Sequence, residues 1–186
     1  MLKGKKIKIR AIDEIDSKSI NKWANDFELW SMLGGWHFPY SMRNTIAWIE
    51  NINCNDKNNQ YWAISNFEND IIGTVSLTNI DWKNRSATYG IMIGDIESRK
   101  KGYAYDALTL IVIYAFEELG LFRLESDIID SNEASINFHL KFGWIKEGYK
   151  KYADYRCGKW HGKVNISFTI DEYRLLFKDS QREHYG

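Results

Sequence analysis

The chain has 186 residues, 44% apolar and 27% charged, which suits one domain with a single core and excludes a disordered polymer. Its 25 basic and 25 acidic side chains cancel, so the basic excess of a general nucleic-acid binder is missing and any polyanion has to be caught by a local positive cluster. Cys54 and Cys157 have no second Cys or His at ligand spacing, so idle thiols and no metal are expected.

Residues 1–10 are basic and alternating with no apolar h-region, and no apolar window approaches a membrane span, so a cytoplasmic protein without membrane partners is expected. Residues 6–12 alternate with period two and predict a strand. Ile15, Ile20 and Trp23 then fall at helical spacing over 13–25. Residues 27–40 hold Phe27, Trp30, Trp36, Phe38 and Tyr40, punctuated by Gly34 and Gly35, and read as a loop folded over a cavity. Ser41 is an N-cap for a helix carrying Ile46, Trp48, Ile49 and Ile52.

Residues 61–65 and 71–77, joined by a turn at 68–70, predict a hairpin, and a strand over 87–93 runs up to Gly94. A long helix from about 103 to 119 places Ala107, Leu108, Ile111, Ala115 and Leu119 on one face and ends at Gly120. A strand over 124–129 precedes a helix over 131–142 closed by Gly143. Strands over about 145–155 and 164–170 are linked by a turn at 157–159. The whole reads as one α/β (α+β) domain over 1–186 with a short tail from about 173, its mixed sheet flanked by helices.

The strongest local signal is Arg99-Lys100-Lys101-Gly102-Tyr103-Ala104, between a strand and the long helix. Gly102 and Ala104 let backbone approach a ligand, the amides opening a helix have no intrahelical partner, and three basic side chains stand beside them. That combination fits a diphosphate.

This order of elements and loop resembles the GNAT superfamily of acetyltransferases, whose phosphate loop Gln/Arg-x-x-Gly-x-Gly/Ala is matched by Arg99, Gly102 and Ala104. A second family signature, Asn-x-x-(Ala/Ser)-x-x-x-Tyr-x-Lys-x-Gly-Phe, is similar to the run from Asn132 through Ser135, His139, Lys141 and Gly143 to Trp144. The opening Ile9-Arg10-Ala11-Ile12-Asp13 and the later Glu147-Gly148-Tyr149 and Gly158-Lys159-Trp160 are similar to the ribosomal-protein alanine acetyltransferase branch. The resemblance implies a mostly antiparallel sheet of about seven strands with about four helices. It implies acetyl-coenzyme A as co-substrate and a homodimer in many relatives. It also implies cofactor contacts from Ile91, Met92 and Ile93, from Arg99, Lys100, Lys101, Gly102, Tyr103 and Ala104, and from Asn132, Ser135 and Lys141.

Two departures from the family pattern follow. His139 stands where a Tyr usually protonates the leaving thiolate, and an imidazole is a substitute acid at neutral pH. Thr88 stands where many relatives carry a basic Glu, leaving Asp81, Glu125, Asp127 and His37 as candidate bases. On the acceptor side, Trp30, Trp36, Phe38, Tyr40 and Tyr89 offer stacking faces and Asp127 a charge. The leading expectation is N-acetylation of a primary amine on a small metabolite, foremost an amino-sugar nucleotide. The alternatives are a protein N-terminus or ribosomal protein, a polyamine, and a non-enzymatic acyl-CoA sensor or scaffold.

Overall fold

The computed structural model describes residues 1–34, 38–52 and 56–177. The chain forms two compact units, Met1–Ile80 with Thr88–Ile111, and Asp81–Ala87 with Val112–Gly186. Among the described residues there are eight strands and six α-helices. The expected helix-flanked, mostly antiparallel α/β fold is therefore present, with one strand and two helices beyond the number expected.

In the first unit the strand order is β1 (Leu2–Lys3), β2 (Lys8–Ala11), β3 (Gln60–Ser65), β4 (Ile71–Asp81) and β5 (Ser86–Ile93). β1 to β4 pair antiparallel. β2 has the predicted alternation: Ile9 is buried while Arg10 forks onto Asp16 at 2.7 and 2.8 Å. Helices α1 (Ser17–Ala24), α2 (Phe27–Ser31) and α3 (Met42–Glu50) follow β2. Ser41 caps α3 as expected, its hydroxyl accepting the Asn44 amide at 3.1 Å. The segment expected to be a loop over 27–40 instead begins with α2. Asp26 caps that turn through the Leu29 amide at 3.1 Å, and Leu29 enters the core with Ile20, Trp23 and Met92. Trp23 lies so close to the backbone after β5 that a Cβ on Gly94 would stand 2.1 Å from its ring.

α4 (Tyr103–Ile113) starts in the first unit, and Leu108 and Ile111 on its inner face are fully buried. The predicted helix to 119 ends as a π-helical turn, Tyr114–Glu118, where the Leu119 amide reaches the Tyr114 carbonyl at 3.1 Å.

The second unit has strands β6 (Arg123–Ile129), β7 (Ile145–Arg156) and β8 (Lys159–Thr169) in the order β6-β8-β7, paired antiparallel. Cys157 and Gly158, at φ 51° and 75°, make the predicted tight turn between β7 and β8. α5 (Glu133–Phe142) is capped by Asn132 and ends at Gly143, whose φ of 117° directs Trp144 inward against Phe168. The expected tail from 173 is helical to 177. α6 (Ile170–Phe177) packs Tyr173 on Phe116 at 5.1 Å between ring centroids, because its aromatic residues recur on one face. No helix among the described residues is long and apolar enough to cross a membrane.

Candidate active site

The residues expected to hold a diphosphate, Arg99 to Ala104, lie between β5 and the first turn of α4. After the turn Ile96–Ser98, Arg99 is extended, Lys100 has φ 60° and Gly102 has φ 83°. A φ of 83° is open to glycine at little cost and strains any other side chain. The Asp106 amide donates to the Gly102 carbonyl at 3.1 Å at the start of α4, where a helix's opening amides have no intrahelical carbonyl to bond. Arg99, Lys100, Lys101 and Gly102 are exposed and Tyr103 and Ala104 half-buried. Arg99 Nε donates to the Ile93 carbonyl at 3.2 Å, tying the loop to the end of β5.

Sequence reasoning missed how this loop is held. The Asp106 carboxylate accepts the backbone amides of Lys5, Lys6 and Ile7 at 3.2, 2.7 and 3.1 Å. Lys6 Nζ then reaches the Lys101 carbonyl at 2.9 Å.

A cavity of about 380 Å³ lies in the same unit. Its floor is β5, at Gly90, Ile91 and Met92. Thr74 and Ser76 of β4 and Tyr61 of β3 form one wall, while Tyr40, Thr45 and Trp48 form another. The Tyr40 backbone is clamped by α1 and the residue that ends it: its carbonyl accepts from Asn21 and Asn25 Nδ2 at 3.0 and 2.8 Å, and its amide donates to Asn25 Oδ1 at 2.9 Å. Trp48 meets Tyr61 edge-to-face at 5.7 Å. Thr45, Trp48, Tyr61, Thr74 and Ser76 were not anticipated at the site. Hydroxyls at every second position of β4, Thr74, Ser76 and Thr78, were the available signal.

Of the expected acceptor residues, Tyr40 lines the cavity. Trp30 is half-buried and rests on Phe27 at 4.8 Å, while Phe38 is 81% exposed. Tyr89 is only 2% exposed, and its burial raises the phenol well above its usual range, so it is a core residue without an open ring face. Trp36 and His37 lie outside the described residues.

His139 does not fit the expected role of acid. It is 3% exposed, flanked edge-on by Phe138 and Trp144 at 5.0 and 5.3 Å. Burial pulls its pKa down to about 4, against a smaller opposing effect of the Ser135 carbonyl. With Nδ1 2.8 Å from that carbonyl, the neutral ring carries its proton on Nδ1 and spends it inside α5.

Nor are Asp81, Asp127 and Glu125 among the residues that line the cavity. Asp81 is a turn residue whose oxygens take the Asn84 amide at 2.9 Å and Asn84 Nδ2 at 2.7 Å. These bonds lower its pKa. Asp127 accepts Lys150 Nζ at 2.6 Å and Asn165 Nδ2 at 3.0 Å, which hold it ionised against a desolvation that acts the other way. Glu125 pairs with Arg123 at 3.2 Å.

Asn132 and Ser135 are spent in part on the start of α5, the Asn132 side chain accepting the Ser135 amide at 3.1 Å, and Lys141 is exposed in its last turn. Among the described residues no group of three His, Cys, Asp or Glu is placed to hold a metal.

Comparison with known proteins adds an independent line. Residues 6–145 match the family described as acetyltransferase (GNAT) domain. A prophage-derived uncharacterised N-acetyltransferase of Bacillus subtilis is 26% identical over 92% of this chain and 94% of its own. Spermidine N(1)-acetyltransferase of Vibrio cholerae is 23% identical over 76% of this chain and 80% of its own. The crystal structure of a spermidine N-acetyltransferase from Vibrio cholerae in complex with CoA and spermine superposes with a TM-score of 0.81, covering 90% of this chain and 97% of that one at 21% identity.

Proposed function

The chain belongs to the GNAT N-acetyltransferase family, and from that premise we propose that it moves the acetyl group of acetyl-coenzyme A onto the primary amine of a small metabolite bound in the cavity over β5. The observation that carries this reading is the cavity itself. Its volume of about 380 Å³, walled by aromatic and aliphatic side chains, suits a small molecule better than an extended protein terminus.

Acetyl-CoA is the co-substrate of the family, and its thioester supplies the activated acyl group. The residues present fit it. Gly102 at φ 83° keeps a side chain away from the amides that open α4, and Arg99, Lys100 and Lys101 bring positive charge to the same loop. In this reading those residues with Tyr103 and Ala104 hold the diphosphate. The backbone of Ile91, Met92 and Ile93 runs beside the pantetheine arm like an added strand.

No carboxylate or imidazole lines the cavity among the described residues. The reacting acceptor is therefore the neutral amine, roughly one molecule in a thousand at pH 7 for an amine of pKa about 10. The cavity walls orient its lone pair; as the C–N bond forms and the C–S bond breaks, water takes the proton that the nitrogen sheds and supplies one to the leaving sulfur.

An amino-sugar nucleotide finds no support among the relatives, and the described lining has no Lys or Arg to face a nucleotide's phosphates. The spermidine acetyltransferase relative favours a second reading, a polyamine acceptor. Following thiol release from acetyl-CoA with a panel of small amines, polyamines and peptides tests these readings. Release that requires a small amine is the expected result. Release only with peptides would sink the proposal, and CoA binding without release would mark a sensor.

A further inference from the structure

We infer that the acceptor is a monoamine with an aromatic or aliphatic body and at most one or two neutral polar groups, and that a polyamine is discriminated against. This rests on the reading that the cavity over β5 holds the acceptor.

The polar groups of the described lining are neutral. Thr45 is 1% exposed and its hydroxyl is already engaged, accepting from Asn21 Nδ2 at 2.9 Å and facing the Ser41 carbonyl at 3.4 Å. Thr74 and Ser76 are half-buried hydroxyls on adjacent outward positions of β4. A Cβ on Gly90 would stand 3.0 Å from Ser76 Oγ, so the glycine leaves that hydroxyl reachable from the floor of the cavity. The remaining surface is aliphatic or belongs to Tyr40, Trp48 and Tyr61.

No carboxylate near in sequence is among the described lining residues, and Glu50 is exposed at the end of α3. Asp26 caps α2, and Asp56 takes the Asn58 and Asn59 amides at 2.8 and 3.1 Å. Glu28 is exposed on α2. Residues 35–37, outside the described set, are Gly, Trp and His and bring no carboxylate.

Ring faces can meet one ammonium. Spermidine carries further ammonium groups, and each one moved from water into this lining finds no anionic partner. A flat or branched apolar body instead gains by covering Tyr40, Trp48 and Tyr61. The hydroxyls of Thr74 and Ser76 are left to select one acceptor or donor on that body.

The test compares 2-phenylethylamine with spermidine on the full chain at saturating acetyl-CoA, by thiol release, alongside calorimetric titration of each amine into the protein–CoA complex. The expected result is a kcat/KM for phenylethylamine roughly 100-fold above that for spermidine, a gap that narrows in Thr74→Asp because the new carboxylate pairs the second ammonium. Spermidine matching or exceeding phenylethylamine in the unmodified protein overturns the inference. If no amine releases thiol, the acceptor reading falls, and the titrations still decide the preference: tighter phenylethylamine binding supports it and tighter spermidine binding overturns it.

Discussion

The Asp106 carboxylate in the first turn of α4 accepts the backbone amide of Lys6, a hundred residues earlier, at 2.7 Å. The same carboxylate takes the amides of Lys5 and Ile7, so it fastens the turn at residues 4–7 to the start of the helix that opens at the phosphate loop. The turn is closed by the Gly4 amide donating to the Ile7 carbonyl at 2.9 Å. A Cβ on Gly4 would lie 2.4 Å from Asp106 Oδ2.

Asp106→Ala is accordingly expected to lower stability by about 1–3 kcal/mol, since charge-assisted bonds to three amides are lost. CoA affinity should fall roughly 10-fold as the loop loosens, equivalent to about 1.4 kcal/mol. Urea titration and calorimetry with CoA measure the two effects. Gly4→Ala should reproduce the stability loss in part by pushing the carboxylate aside. Unchanged CoA affinity in both variants would limit Asp106 to a structural role.

Gly102→Glu combines a left-handed backbone position, φ 83°, with a new negative charge beside the proposed diphosphate site. The backbone conflict costs about 1 kcal/mol, and repulsion adds to it. CoA affinity should drop by at least about 10-fold, while Gly102→Ala loses affinity chiefly through strain. Wild-type affinity in the Glu variant would remove this loop from the cofactor site.

His139 makes a prediction about pH. Its folded pKa, about 4, lies below the usual 6.5, so between these values the unfolded chain binds more protons than the folded one. The stability associated with a neutral buried ring is therefore complete above about pH 6.5 and is lost as pH falls toward 4, by about 3 kcal/mol in all. In His139→Phe that pH dependence should disappear, with turnover changed by less than about twofold. A large loss of kcat with CoA affinity retained would restore His139 as the acid.

Turnover should carry the amine's own ionisation. With neutral amine as the reactant and no base in the described lining, kcat/KM on total amine should rise about tenfold per pH unit between pH 6 and 9. It should level near the pKa of each amine tried. A plateau at one pH common to amines of different pKa would reveal an enzyme base, and His37→Ala would then test the remaining candidate.

Much of the fold was legible because its signals are local. The alternation around Ile9, the Ser41 cap, the turn at Cys157 and Gly158 and the glycine stop at Gly143 each depend on neighbours within one turn of chain, and each is found. The single turn α2 was hidden because five residues are too few to display a helical period, although Asp26 supplied its cap. The glycine at the junction of β5 and α4 was legible for the same reason, and Gly102 there has a φ of 83°.

The sequence by itself determined the family and the order of the longer elements, because periodicity, caps and motif spacing act over a few residues. Only the tertiary structure decided that His139 is a neutral core ring, that Tyr89 is buried, that Asp106 clamps a distant turn and that hydroxyls and aromatic rings wall the cavity. Burial and partnership are properties of whatever packs against a side chain, and those neighbours are brought in from far along the chain.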